Sequence, residues 1–191
     1  MISRGIGSFA ACLAVFPLAA AAAEIRPIIK GGYDFGGDTL VTIVFSDGST
    51  ERIKANEGFY IGGGAVIFND AATMEFHLTA AYKAEFVSAR NGDAEWTRIP
   101  LEALAFWRFE KARVGGGLTY HLNPSVEGSG AASGLDIDFK DALGLVLQAD
   151  YRFTDRFAAG LRYTTVDYEA QAPFSGKAKG DGLGITVSFT F

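Results

Sequence analysis

Few side chains in this chain of 191 residues could carry out covalent chemistry. It contains two histidines and one cysteine, and the most suggestive arrangement is His121 followed by Ser125. A serine nucleophile needs a base within hydrogen-bonding reach and a third group that orients the base. His121 lies in a segment of alternating polarity, whereas Ser125 lies beyond Pro124 in a connection. We therefore predict no catalytic residue.

Motifs for metals, phosphates and cofactors are equally weak. Asp136, Asp138 and Asp141 are close together, but they lack the spacing of a calcium-binding loop. The triplets 62–64 and 115–117 are all glycine, yet neither precedes a Lys-Ser/Thr pair or opens a helix as a phosphate loop does. The low cysteine and histidine counts exclude a zinc cluster and a disulfide framework. We predict no metal and no cofactor.

The net charge of −5 argues against nucleic acid as a partner. A surface that binds phosphates needs an excess of Lys and Arg on one face. With 24 Gly, 16 Phe, 7 Tyr and 2 Trp, the composition is instead typical of a β-rich protein. The predicted class is all-β.

Residues 1–23 are predicted to be a cleaved signal peptide. Arg4 is the only charge before Glu24, an apolar stretch follows it, and Ala21-Ala22-Ala23 provides a small-residue cleavage site. A transmembrane anchor is the alternative, but Pro17 interrupts the apolar stretch, which is shorter than a bilayer requires. Cys12 lies too early for a lipoprotein signal. Residues 24–191 are then the folded domain.

A period of two dominates this domain. Short segments alternate apolar and polar residues, as tilted membrane strands do, and turn residues separate them. We predict eight strands, and an even number lets an antiparallel sheet close. They are Ile25 to Phe35, Phe59 to Phe68, Glu75 to Phe86, Arg98 to Phe109, Ala112 to Leu122, Ala142 to Phe153, Phe157 to Thr165 and Leu183 to Phe191.

The two faces of these strands distinguish a membrane barrel from a soluble one. One face is free of charge, as in Leu143, Leu145, Leu147, Ala149, Tyr151 and Phe153. The other face carries the charges and many glycines. A soluble lipocalin-like barrel would place its charges in water, where the glycines have no purpose. A narrow lumen needs small residues beside long charged ones, so we predict that the apolar face contacts lipid.

Aromatic residues at the strand ends support a membrane orientation, because such rings favour the interface with the headgroups. One predicted belt contains Tyr33, Phe35, Phe59, Phe86, Tyr120 and Tyr163. The other contains Phe68, Phe76, Trp107, Phe109, Tyr151, Phe153, Phe157, Phe189 and Phe191. Short and long connections also alternate, as do periplasmic turns and extracellular loops. The first long loop, 36–58, contains an Asp47-Gly48 turn signal and is expected to form an extra hairpin.

The inward face predicts a closed lumen. It carries eight basic and five acidic residues, and buried charges must be paired or hydrated. We expect a continuous ion-pair network that includes Arg108, Arg152, Arg162, Glu102 and Asp150. His121 and His77 are expected to pair with luminal carboxylates.

The last segment, Leu183-Gly-Ile-Thr-Val-Ser-Phe-Thr-Phe191, resembles the C-terminal signature of bacterial outer-membrane barrels. In organisation, the domain is similar to the small eight-stranded family typified by the OmpA transmembrane domain, OmpX and OmpW-like proteins. The resemblance implies an antiparallel up-and-down β-barrel in the bacterial outer membrane. It also implies lipid and lipopolysaccharide as surroundings, and recognition of the strand ending at Phe191 by the barrel-assembly machinery.

Three functions follow from this resemblance. The first is a non-enzymatic envelope scaffold that presents surface loops, which is the function that we expect. The second is a small porin or hydrophobic-solute channel. The third is a lipid A modifying enzyme, but the His-x-Ser-Asn order of the lipid A deacylases is absent from His121-Leu122-Asn123-Pro124-Ser125.

Overall fold

The computed structural model describes residues 24–44, 50–69, 71–89, 92–134 and 136–191. The predicted signal peptide and the Asp47-Gly48 turn lie outside these residues. In chain order the strands are β1 (Glu24–Gly36), β2 (Thr39–Val44), β3 (Thr50–Lys54), β4 (Gly58–Phe68), β5 (Met74–Ala89), β6 (Gly92–Arg108), β7 (Ala112–Gly128), β8 (Ile137–Asp138), β9 (Ala142–Arg152), β10 (Phe157–Glu169), β11 (Lys177–Lys179) and β12 (Gly182–Thr190). A single 3₁₀ turn, Gly130–Ala132, is the one helix among the described residues. No helix in this part of the chain is long and apolar enough to cross a membrane.

Eight of the strands form a closed antiparallel barrel. Each pairs with the next in the order β1, β4, β5, β6, β7, β9, β10, β12, and β1 closes the ring by pairing with β12. At the closure, Gly31 lies between Ile61 of β4 and Val187 of β12. The predicted eight-stranded all-β fold is confirmed, and all eight predicted segments are barrel strands.

The faces follow the alternation along each strand. Along β9, every second residue from Leu143 to Tyr151 is exposed, and the residues between them are buried. Large apolar side chains cover the outside of the barrel, and Lys, Arg, Asp, Glu and His side chains fill much of its inside. The barrel therefore has the polarity that the sequence predicts.

The structure differs from the predicted aromatic belts at Phe68. This ring is buried at one end of the barrel interior, where the guanidinium groups of Arg26 and Arg108 each lie 5.2 Å from its centre. An odd number of positions separates Phe68 from the outward residues Phe59 and Ile61, so the pleat turns it inward. Its assignment to the outer belt was wrong.

Several strands are longer than predicted. β5 and β6 continue to Ala89 and Gly92, so their connection is short, and β7 continues to Gly128. The β6–β7 register shifts between Thr97 and Ile99, opposite Asn123, which has a φ of 45°. This bulge changes which positions of β7 face inward, and it brings Val126 to the buried side.

The first long connection forms a hairpin. β2 pairs with β3, with Val41 opposite Ile53 and Thr42 opposite Arg52. Val41 and Ile53 are buried, whereas Thr42 and Arg52 are exposed. The hairpin therefore has an apolar side that packs against the rest of the protein.

Candidate functional site

The barrel interior contains most of the buried charge, so it is the candidate functional site. It has three levels along the barrel axis: a lower ion-pair cluster, an upper ion-pair cluster, and an apolar cluster at the end where β5, β6 and β7 extend furthest. We call that end the mouth.

The lower cluster is centred on two carboxylates, Glu75 of β5 and Asp150 of β9. Arg113 of β7 bridges them, with 2.7 Å from Nη1 to Glu75 Oε2 and 2.7 Å from Nε to Asp150 Oδ2. Arg108 Nε lies 2.9 Å from Glu75 Oε1, and His77 Nε2 lies 2.9 Å from Glu75 Oε2. His77 therefore pairs with a carboxylate, as predicted.

The upper cluster is centred on Glu102 of β6 and Asp34 of β1. Glu102 accepts hydrogen bonds from Lys30 of β1 and from Arg162 Nη2 of β10, the latter at 2.5 Å. Asp34 pairs with Lys83 Nζ at 2.5 Å and with Arg162 Nε at 3.8 Å. All five side chains are buried. Because β1 and β10 are each three strands away from β6 around the barrel, the Glu102 contacts cross the lumen.

Gly184 of β12 makes room for this cluster because it has no side chain. A Cβ atom at Gly184 of β12 would collide with the carboxylate of Asp34 and lie 3.1 Å from Arg162 Cγ. Gly184 is the cross-strand neighbour of both Asp34 and Arg162, so these long side chains fit together because the position between them has no side chain. This is the arrangement predicted from the inward glycines.

Ion pairs and packing leave little free space inside. The cavity among Lys30, Asp34, Tyr60, Glu102 and Arg162 has a volume of about 10 Å³. That is the space of a single water molecule. The described lumen is therefore filled at the level of the upper cluster.

The predicted continuous network was wrong in two respects. Glu102 and Asp150 belong to separate clusters, and Arg152 pairs with the turn residue Asp155 at 3.2 Å. Arg152 lies two residues beyond Asp150 toward the end of β9, so its side chain reaches the turn rather than the lumen.

His121 was also assigned the wrong partner. Its Nδ1 atom lies 2.6 Å from the hydroxyl of Tyr168, and not beside a carboxylate. Burial raises the pKa of Tyr168 to about 12, so the phenol stays protonated beside the His121 ring. This pair could not be predicted from the sequence because Tyr168 lies in a segment that we predicted to be a loop.

The residues considered for catalysis and metal binding make other contacts. The Ser125 hydroxyl lies 3.2 Å from that of Thr97, whereas His121 is bonded to Tyr168. Asp141 accepts hydrogen bonds from Tyr120 and from the amide of Asn123. Within the described ranges, no group of three or more His, Cys, Asp or Glu residues is placed to hold a metal ion.

The mouth is filled by apolar side chains. Trp96 of β6 packs edge-to-face against Tyr168 of β10 and Phe139, with ring centres 5.2 Å apart in both pairs. One cluster of buried residues joins these rings to the hairpin and the surrounding strands: Val41, Ile53, Ala55, Val87, Ala94, Val126, Ala142, Val166 and Ala178. No sequence pattern that we used identified this cluster.

The outer surface has the dimensions of a membrane-spanning barrel. Leu143 near the start of β9 and Phe153, one residue beyond its end, are both exposed on the apolar face. They are ten residues apart, which is about 33 Å of strand and about 25 Å along the axis at a tilt of ~40°. Exposed aromatic residues lie near both ends of this face, including Phe59 and Tyr163 at one end and Trp107 and Phe189 at the other.

An apolar outer face and a charged, filled interior define a closed eight-stranded transmembrane β-barrel. Residues 8–191 match the model of the family described as outer membrane protein beta-barrel domain. The chain belongs to this family and is located in the bacterial outer membrane. No curated protein matches the chain.

Solved structures of small outer-membrane barrels share the architecture. Ail, the attachment invasion locus protein of Yersinia pestis, is similar at a TM-score of 0.52 and 12% identity, over 88% of this chain and 99% of that chain. Neisserial surface protein A is similar at 0.47 and 12%, over 90% of this chain and 100% of that chain. OprG of Pseudomonas aeruginosa is similar at 0.43 and 18%, over 87% and 95%. At these identities the similarity concerns the fold alone.

Proposed function

We propose that the protein is a non-enzymatic scaffold of the outer membrane that presents its extracellular loops on a closed barrel. The observation that carries this proposal is the set of contacts from Glu102 to Lys30 and Arg162, which cross the lumen and leave a cavity of about 10 Å³. Steady ion flow needs a continuous water path, and a space for one water does not provide it.

Hydrogen bonds and one β-bridge join the connection between β7 and β9 to the connection that follows β10. Phe139, in the connection between β7 and β9, forms a bridge with Ala170 beyond β10. The Gln171 amide donates to Asp138 O at 2.8 Å, and its side chain donates to Phe139 O at 2.8 Å. A preorganised loop loses less entropy when it binds a partner. This rigidity supports loop presentation as the function.

The loop charges indicate the kind of ligand. Segments 36–58, 87–97, 123–141 and 166–182 together contain thirteen acidic and six basic residues. Ail was crystallised with the heparin analogue sucrose octasulfate, but an acidic surface repels a polyanion. We therefore propose a neutral or cationic ligand for these loops.

The absence of enzymatic activity is part of the same proposal. It is supported by the contacts of His121 and Ser125, whose polar atoms are bonded to Tyr168 and Thr97. Lipid and lipopolysaccharide around the barrel, and recognition of the strand ending at Phe191 by the assembly machinery, remain predictions from the family resemblance.

Planar-bilayer recording of the refolded protein tests the closed barrel. Heat-modifiable mobility on a gel first shows that the sample is folded. We expect no steady single-channel current at either polarity. A steady, ohmic current from the folded protein would refute the scaffold and favour the small porin.

A further inference from the structure

The β2–β3 hairpin folds inward across the mouth instead of extending away from the barrel. Its residues Val41, Ile53 and Ala55 are buried in the same apolar cluster as Trp96 and Tyr168. Trp96 and Tyr168 come from β6 and β10, which are three strands apart, and their rings meet edge-to-face. The cluster therefore spans the opening from wall to wall, with the hairpin as part of it.

Polar contacts from the barrel wall hold the end of the hairpin. The guanidinium of Arg98 donates to Asn56 O at 3.0 Å and to Glu57 O at 2.6 Å. Trp96 Nε1 donates to Ala55 O at 3.1 Å, and Lys83 Nζ donates to Asn56 Oδ1 at 3.2 Å. Arg98, Trp96 and Lys83 are all buried, so these bonds are shielded from water and the three carbonyl groups are well satisfied.

The start of the hairpin is fixed as well. The Asp38 amide donates to Lys179 O at 2.7 Å, and the Lys179 amide donates to Asp38 Oδ2 at 2.9 Å. Gly37, just before β2, has a φ of +87°, and a Cβ there would lie 2.7 Å from Asn56 N. The chain therefore turns into the mouth at a position that only glycine occupies without strain.

We propose that this hairpin is a stopper of the extracellular mouth, which seals the barrel in series with the luminal ion pairs. The inference rests on the proposed closed barrel and adds a second, independent barrier to it. The first barrier is the upper ion-pair cluster, whose charged groups pair across the lumen. The second barrier is the apolar cluster at the mouth, which excludes water by packing.

The stopper keeps water at the mouth away from the nearest luminal charges. Water that entered from the mouth would hydrate Lys83 and Asp34, which lie just below Asn56 and are bonded directly to it or to each other. The seated hairpin keeps that side dry. Unseating it exposes Trp96 to solvent but leaves the Glu102 contacts in place, so it does not open the barrel by itself.

Fluorescence of Trp96 tests whether the stopper is seated. The chain has two tryptophans, and Trp107→Phe leaves Trp96 as the only one. In refolded vesicles, we expect acrylamide to quench this emission several-fold less than that of free tryptophan. Equal quenching would overturn the proposal, and this measurement needs no change in the hairpin.

A matched pair of variants then unseats the hairpin. Ile53→Asp places a charge on the buried side, and Thr42→Asp places the same charge on the exposed side of the same hairpin. We expect a several-fold rise in quenching and a red shift of Trp96 emission only for Ile53→Asp. Heat-modifiable mobility shows that both barrels are folded, and Ile53→Ala serves if the charged variant does not fold. An identical response of the two variants would refute the proposal.

Conductance separates the stopper from the closed barrel. We expect no steady current from Ile53→Asp or Glu102→Gln alone, and a steady current from the two combined. If the wild type conducts, the proposed closed barrel fails, whatever Trp96 reports. If the wild type is closed but the combined variant stays closed too, or Ile53→Asp alone conducts as well as the combination, the arrangement in series is wrong.

Discussion

Glu102 and Glu169 provide a direct test of whether luminal ion pairs stabilise the barrel. Each glutamate bridges two cations: Glu102 contacts Lys30 and Arg162, and Glu169 contacts Lys140 at 2.5 Å and Lys177 at 3.7 Å. They differ in exposure, since the side chain of Glu102 is 5% exposed and that of Glu169 is 44% exposed. The two Lys residues lower the pKa of Glu169, so this exposed glutamate is charged at neutral pH.

Substitution by Gln removes the charge from each site and keeps the shape. At Glu102, Lys30 and Arg162 are left as buried cations, and the loss of one partner from a buried pair costs about 3–5 kcal/mol. At Glu169, the cations return to water, and an exposed pair contributes little to stability. The expected gap is therefore at least about 2 kcal/mol, or roughly thirtyfold in the unfolding equilibrium.

Urea titration of protein refolded into lipid vesicles measures this gap. Tryptophan emission and gel mobility report the folded fraction, and refolding from urea verifies reversibility. We expect Glu102→Gln to lower the midpoint strongly and Glu169→Gln to leave it nearly unchanged. Equal midpoints for the two variants would refute the view that ion pairs across the lumen hold the barrel together.

Three further predictions concern the lipid face, the lumen and catalysis. Leu147→Arg puts a charge at a position near the middle of the lipid face, where the Leu side chain is 64% exposed. In the same titration it should lower the free energy of unfolding by about 2–4 kcal/mol, whereas Gly176→Arg in a loop should change it little. Gly184→Val forces a side chain into Asp34 and should destabilise by about 1–3 kcal/mol, whereas Gly176→Val meets no atom within 4 Å and should not; similar midpoints would contradict the packing argument. Overexpression of the wild type should leave the lipid A mass unchanged; a mass shift that His121→Ala and Ser125→Ala both abolish would make the protein an enzyme.

The sequence predicts the barrel because the membrane imposes one rule on every strand. Outward residues must be apolar, so a period of two is visible from β1 to β12. Above the membrane the rule reverses, and Val87, Ala94 and Trp96 are buried while Ser88, Asp93 and Glu95 face outward. Because apolar residues are expected outside, the predicted β5 ends too early, at Phe86, and the predicted β6 begins too late, at Arg98.

Partners inside the lumen are harder to predict than faces. Alternation tells which side chains point inward, but the contact between Lys30 and Glu102 depends on the stagger of strands that are not neighbours. The same holds for His121 and Tyr168, which come from β7 and β10. In β7, the bulge at Asn123 also breaks the alternation, so the alternation does not predict that the strand reaches Gly128.

The change of filling along the barrel has a physical cause. Within the membrane, lipid tails are as apolar as Leu or Phe, so apolar packing gives the strands no preference for the interior over the lipid. Hydrogen bonds and ion pairs that cross the lumen can supply that preference, and there the interior contains Glu102, Arg162, Glu75 and Arg113. Above the membrane, water surrounds the barrel and the hydrophobic effect acts again. The interior there contains Trp96 and its apolar neighbours, as expected for a part of the barrel that is surrounded by water.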